Sequence, residues 1–157
     1  MITIREIRPA DREALIRLCR CQKNFNAQEV EVAIEVIDDA LDPAKNDYQI
    51  LTALNAAEQV AGFICYGAIP LTDKRFDLYW IAVAPDRGRQ GIGKLLLDEM
   101  EKRLAAFSPA HIYVDTSSTP GYDAARAFYA KNGYRIAATL ANFYRNGDDK
   151  VVFMKEV

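Results

Sequence analysis

The chain has 157 residues, half of them apolar and 27% charged, with a formal net charge of −2. That length suits one domain with one substantial core, and the near-neutral balance leaves no electrostatic footprint for nucleic acid or for an anionic membrane. No apolar run is long enough to span a bilayer, and the opening MITIREIRPADREA is too charged for a secretory signal.

The segment Ile2 to Arg8 alternates apolar and polar residues, as a half-buried strand does. Pro9-Ala10-Asp11 then supplies a turn and an N-cap for a helix with Leu15, Leu18 and Cys19 on one face. Cys19 and Cys21 lie two apart on that helix, where side chains do not face each other. With Cys65 they make an odd number without metal-ligand spacing, so reduced core thiols in a cytoplasmic protein are expected. A second helix is expected from Gln28 to Leu41, stopped at Asp42-Pro43. Strands Tyr48–Leu54 and Val60–Ala68 follow as a hairpin around the turn Asn55–Glu58. Leu78 to Val83 is an almost continuous apolar run, which marks a strand buried on both faces.

A loop, Ala84–Gln90, leads into a helix from Gly91 to about Phe107. Its apolar stripe is Ile92, Leu95, Leu96, Met100 and Leu104, with Asp98–Lys102 and Glu99–Arg103 paired on its outer face. Then come a strand His111–Thr116, a helix from about Tyr122 to Asn132 closed by Gly133 as a left-handed C-cap, and strands Tyr134–Leu140 and Lys150–Met154. A loop containing Asn146-Gly147-Asp148-Asp149 joins the last two. The order β-α-α-β-β-β-α-β-α-β-β describes one layered α/β or α+β domain over residues 1–157, with helices on the faces of a mixed sheet.

The stretch with most chemistry is Arg87-Gly88-Arg89-Gln90-Gly91-Ile92-Gly93-Lys94, between a buried strand and a long helix. Glycines let backbone approach a ligand closely, and the free N–H groups at a helix start favour phosphate. Arg87, Arg89 and Lys94 add positive charge; the plainer account is a glycine turn with solvated basic residues. The dinucleotide fingerprint fails for want of a third glycine after Gly91-x-Gly93. The nucleotide P-loop fits Gly88-x-x-x-x-Gly93-Lys94, and Ile112-Tyr113-Val114-Asp115 mimics its metal-associated strand. Leu95, however, stands where that motif needs the magnesium-binding Ser or Thr.

The stretch Val83 to Leu96 resembles the acetyl-CoA-binding motif of the GNAT superfamily of N-acetyltransferases, Gln/Arg-x-x-Gly-x-Gly/Ala. Ala125-Arg126-Ala127-Phe128-Tyr129-Ala130-Lys131-Asn132-Gly133-Tyr134 resembles that family's A-x-x-F-Y-x-x-x-G-F/Y segment, about forty residues further on. The order of elements is also the family's, so the resemblance covers nearly the whole chain. It implies a GNAT-like, mostly antiparallel mixed sheet of about seven strands flanked by helices. One position departs: Gly88 stands where the family carries Gln or Arg, so Arg87 or Arg89 is left to replace that contact.

The resemblance further implies transfer of an acetyl group from acetyl-CoA to a primary amine by direct attack, without metal or covalent enzyme intermediate. The loop residues Arg87, Arg89, Gln90, Gly91, Ile92, Gly93 and Lys94 would hold the cofactor's phosphates. Backbone N–H groups at a strand bulge, at Ile81, Ala82 and Val83, would hold the acetyl carbonyl and the pantetheine arm. Tyr129 matches the acid that protonates the leaving thiolate, although a tyrosine packed between helix and sheet looks the same in sequence. Asp77, fourteen residues before Gly91, matches a carboxylate base, and is otherwise a strand-end aspartate. His111 is the sole histidine, and no G-x-S-x-G motif offers it a nucleophile. Asp148 and Asp149 lie in a loop, Asn142–Asp149, that borders acceptor sites in this fold, so a cationic amine is the expected partner. Neither nucleic acid nor membrane is expected as a partner. Many relatives form homodimers, for which the strand pattern here carries no signal. A nucleotide phosphotransferase and a non-catalytic CoA-binding module are the competing readings.

Overall fold

A computed structural model describes residues 1–87 and 90–157. Seven strands form one sheet: β1 (Thr3–Glu6), β2 (Gln49–Leu54), β3 (Val60–Ala68), β4 (Arg75–Val83), β5 (His111–Ser117), β6 (Arg135–Arg145) and β7 (Asp148–Glu156). Their spatial order is β1-β2-β3-β4-β5-β7-β6. Every neighbouring pair is antiparallel except β4 with β5. Helices α1 (Arg12–Arg20) and α2 (Ala27–Leu41) cover one face, and α3 (Ile92–Leu104) and α4 (Asp123–Lys131) the other.

Each face carries its own core. Leu15, Cys19, Ile37, Phe63 and Cys65 fill the side under α1 and α2. Leu96, Leu97, Met100, Ile112 and Phe153 fill the side under α3. The α3 stripe therefore differs from expectation by one residue: Leu97 is fully buried and Leu95 is 43% exposed. On its outer face Glu99 pairs with Arg103 at 3.0 Å, whereas Asp98 pairs with Lys94 rather than Lys102. Asn26 caps α2, its side-chain oxygen accepting the Glu29 N–H at 2.8 Å. All three cysteines are free, with Cys19 and Cys65 buried and Cys21 exposed. Among the described residues no helix is long and apolar enough to cross a membrane.

Two strand regions extend beyond the apolar runs that signal them. β4 starts at Arg75, because Arg75, Phe76 and Asp77 form its only ladder with β5. The hairpin β6–β7 reaches to the two-residue turn Asn146-Gly147, with Gly147 at φ +82°. Asp148 and Asp149 are thus strand residues and not loop residues. Their polarity hides the strand from apolar patterning. β6 is the outer edge and is exposed along its whole length.

Asp11 sits at the start of α1 but caps it with no side-chain bond. Its carboxylate, 6% exposed, instead takes the Arg5 guanidinium at 2.7 and 2.9 Å and the Arg8 N–H at 2.8 Å, tying β1 to α1. Burial pushes its pKa up, but the Arg5 and Arg8 hydrogen bonds and the Arg5 charge outweigh this and hold it below the ordinary value. A depressed folded pKa contributes stability above the unfolded value of ~3.9, lost as pH falls through the folded one. Asp11→Asn should cost on the order of 2 kcal/mol in urea unfolding at pH 7. The variant's stability should also fall less steeply than the wild type's over the acid range below about pH 4.

Candidate functional site

The β4–β5 ladder is three pairs long: Arg75↔His111, Phe76↔Ile112 and Asp77↔Tyr113. Beyond it the strands part. On its other edge β4 is bulged, since Cys65 faces Trp80 and Tyr66 faces Leu78, leaving Tyr79 as the extra residue. A bulge bends its strand and increases the local twist, which turns the end of β4 away from β5. Past the bulge, Ala84 donates its N–H to Ala61 at 2.8 Å. Alternation along an antiparallel ladder then turns Ala82 and Trp80 toward β3 and leaves the N–H groups of Ile81 and Val83 facing the opening.

The opening is a cleft of about 990 Å³. The N-terminal turn of α3 closes one end. Gly91, at φ +71°, starts that helix in a left-handed conformation with nothing within 4 Å of where a Cβ would stand. Gly93 comes close to Phe128 of α4, 3.6 Å from a built Cβ, so α3 and α4 flank the cleft at close quarters. Tyr129 of α4 lines it and is 5% exposed. Burial alone pushes this phenol's pKa well up, so it keeps its proton at neutral pH. Arg126 holds α4 to the end of β5, donating to the carbonyls of Ser117 and, at 3.0 Å, Thr119.

The segment between α1 and α2 spans the two rims. Gln22 donates to the Val83 carbonyl at 3.2 Å on the β4 side, and Asn24 donates to the Gly121 carbonyl at 3.1 Å just before α4. This strap makes the groove narrow.

Of the residues expected at a cofactor site, Ile81, Val83, Gly91, Gly93 and Lys94 line the cleft. Ala82 and Ile92 are buried in the core instead, 4% and 1% exposed. Arg87 pairs with Asp86 at 3.3 Å and, like the exposed Gln90, does not line the cleft. Arg89, with Gly88, lies outside the described residues. His111 stands at the far end of β5, 2.9 Å from Glu156.

Asp77 ends the β4–β5 ladder and lines a shallower groove that adjoins the cleft, with Asp115 and Lys150. Asp115 lines both spaces and pairs with Lys150 at 3.0 Å. Burial and then the Asp115 charge raise the Asp77 pKa, with Lys150 opposing. Of the two late aspartates, only Asp148 lines the cleft. Asp149 is spent on backbone, accepting the Asn142 N–H at 2.8 Å while its own N–H goes to the Ser118 hydroxyl at 2.8 Å. Gln22, Asn24, Ser117, Tyr122 and Tyr144 also line the cleft and carry no sequence motif, and Asp115, which does, lines it too. Arg126 falls inside one and could have been read from it.

The family model described as an acetyltransferase (GNAT) domain matches residues 46–136. A crystal structure assigned to the GNAT acetyltransferases, from Desulfovibrio desulfuricans, is 34% identical with a TM-score of 0.94, covering 99% of each chain. The ribosomal-protein-S18-alanine N-acetyltransferase of Escherichia coli has a TM-score of 0.79 at 21% identity, over 100% of this chain and 94% of that one. The PaiA N-acetyltransferase of Thermoplasma acidophilum, solved in complex with coenzyme A, has a TM-score of 0.75 at 22% identity, over 100% and 99%. No protein of curated function matches. With a family model over more than half its length and a relative above 30% identity along its whole length, this chain belongs to the GNAT acetyltransferase family.

Proposed function

We propose that the protein transfers the acetyl group of acetyl-CoA directly to a primary amine. The observation that carries this reading is the parting of β4 from β5. It leaves two backbone N–H groups unpaired in the middle of a sheet, in line with a glycine-started helix N-terminus. Orphan N–H groups in a sheltered cleft suit a carbonyl whose charge grows during reaction. The first turn of α3 suits a pyrophosphate, through N–H groups and the helix dipole.

In this reading Gly91, Ile92 and Gly93 offer backbone N–H groups to the phosphates, and Lys94 offers charge when it turns from Asp98. Arg87 and Gln90, which do not line the cleft, flank that loop, and Arg89 would add charge to it. Ile81 donates its N–H to the thioester oxygen and Val83 to the pantetheine amide, while Ala82 holds the strand against β3. The uncharged amine attacks the thioester carbon; a C–N bond forms and the C–S bond breaks. The amine's proton leaves toward Asp77, directly or through water, and Tyr129 gives its proton to the departing sulfur. The raised proton affinity of Asp77 fits a base, and Tyr129, protonated in its buried position, can donate only as negative charge builds on the sulfur.

Gly91→Val should abolish acetyl-CoA binding in calorimetry while the fold persists, because a branched side chain at φ +71° costs roughly 1–3 kcal/mol locally. Equal affinity in both proteins would remove this loop from the site. Tyr129→Phe should lower kcat by roughly 10²-fold with acetyl-CoA affinity nearly unchanged; unchanged turnover under rate-limiting chemistry would return Tyr129 to a packing role. A base with a raised pKa is lost as pH falls through that value, so the acidic limb of kcat/KM should lie above ~3.9. Asp77→Asn should flatten or displace that limb, and a superimposable profile would exclude Asp77 as the base.

A further inference from the structure

The cleft wall opposite β4 contains a carboxylate that the transfer chemistry does not use. Asp148 is 6% exposed and lines the cleft. Its Oδ1 accepts the Ser117 hydroxyl at 2.5 Å, and that hydroxyl lies 2.7 Å from the Thr119 hydroxyl. Among the described residues no cation pairs with it: Lys150 is engaged by Asp115 at 3.0 Å, and Arg145, its register partner across the turn, forms no ion pair with it. A carboxylate withdrawn from water is costly until a counter-charge reaches it.

The neighbours suit such a counter-charge. Tyr122 and Tyr144 line the same part of the cleft, as do Glu29 and Asp115. Both phenols have raised pKa values, first from burial, then from Glu29 and Asp148 at Tyr122, where Arg145 opposes, and from Asp115 and Asp148 at Tyr144. Arg145 also lines the cleft, so the carboxylates Glu29, Asp115 and Asp148 share this lining with one guanidinium that forms no ion pair with Asp148. Aromatic rings beside a carboxylate favour an alkylammonium over a neutral group. The nitrogen that attacks a thioester must be uncharged, so a cation held at Asp148 is a different nitrogen from the one that reacts.

Resting on the transferase reading above, we propose that the acceptor is a small amine with a second positive charge, held by Asp148 between Tyr122 and Tyr144.

The test compares diaminohexane with hexylamine, and with a short uncharged-side-chain peptide bearing a free N-terminus, by release of CoA thiol. Wild type should favour the diamine over hexylamine by about tenfold or more in kcat/KM, a difference of ~1.4 kcal/mol. Asp148→Asn should erase that preference through KM and leave kcat/KM for hexylamine unchanged; Tyr144→Leu, at a 42% exposed residue, should weaken it without threatening the fold. Equal use of both amines, better use of the peptide, or an equal fall in kcat for both amines in Asp148→Asn would overturn the proposal. If neither amine is turned over, calorimetry of diaminohexane into the CoA-saturated protein decides: binding lost in Asp148→Asn supports the seat, and no binding to wild type overturns it. Acetyl-CoA affinity of the wild type is measured alongside. Its absence defeats the transferase reading itself, whereas acetyl-CoA binding with no amine preference defeats only the dication.

Discussion

Three residue pairs of parallel ladder, and no more, join the two halves of this sheet. Where β4 leaves β5 after Asp77, the backbone gives up hydrogen bonds that a continuous sheet would make. The bulge at Tyr79 bends β4 away on one side, while a seven-pair antiparallel ladder with β7 holds β5 in place on the other. The N–H groups of Ile81 and Val83 are left facing a sheltered space, and every other feature of the cleft is arranged around them. α3 must start beside the end of β4, which the short connection through residues 84–91 enforces. α4 must lie along β5, which Arg126 secures.

The walls of the opening are held by polar networks that cross the elements. Glu101 of α3 accepts Lys155 of β7 at 2.9 and 3.0 Å and the Tyr134 hydroxyl at 3.1 Å, and Lys155 also reaches the carbonyl of Asn132 at the end of α4. One carboxylate thus joins α3, α4 and β7 on the side where Tyr129 projects. Burial and the nearby Glu101 charge push the Tyr134 phenol up, so it remains the donor in this network. On the opposite face Arg5 and Asp11 do the corresponding work for β1 and α1. A cleft between two cores needs both cores anchored, because either could otherwise slide to close the gap.

The element order was legible because apolar patterning is strong wherever a segment packs on both sides, as in Val60–Ala68. The run to Val83 gives the same signal without being buried on both faces, since only Leu78 and Ala82 are buried and Tyr79, Ile81 and Val83 line the cleft. The method loses its grip where polar residues form regular structure. Asp148 and Asp149 read as a turn because two carboxylates beside Asn-Gly have turn composition, yet only Asn146 and Gly147 turn. Arg75 reads as loop and Asp77 as the strand's end, because the signal for β4 starts with its apolar stretch, whereas the strand begins at Arg75. In α3, Leu95 and Leu97 are two positions apart and so on different sides of the helix, and which of them faces the core depends on what packs against it.

The local backbone chemistry of the site was determined by sequence alone. Gly91-x-Gly93 ahead of an apolar helix can do little but start that helix with exposed N–H groups, and Phe128-Tyr129 on an amphipathic α4 must face inward somewhere. What only the tertiary structure decided is which residues from distant segments share one space. Gln22 and Asn24 span the cleft, Asp115 and Asp148 meet its interior, and Ala82 turns away while its neighbours turn in. Those outcomes rest on strand register and on the direction of each backbone group, and a register is the property of two strands together. No single segment carries it, so the polar lining of the cleft became visible only when the strands were paired.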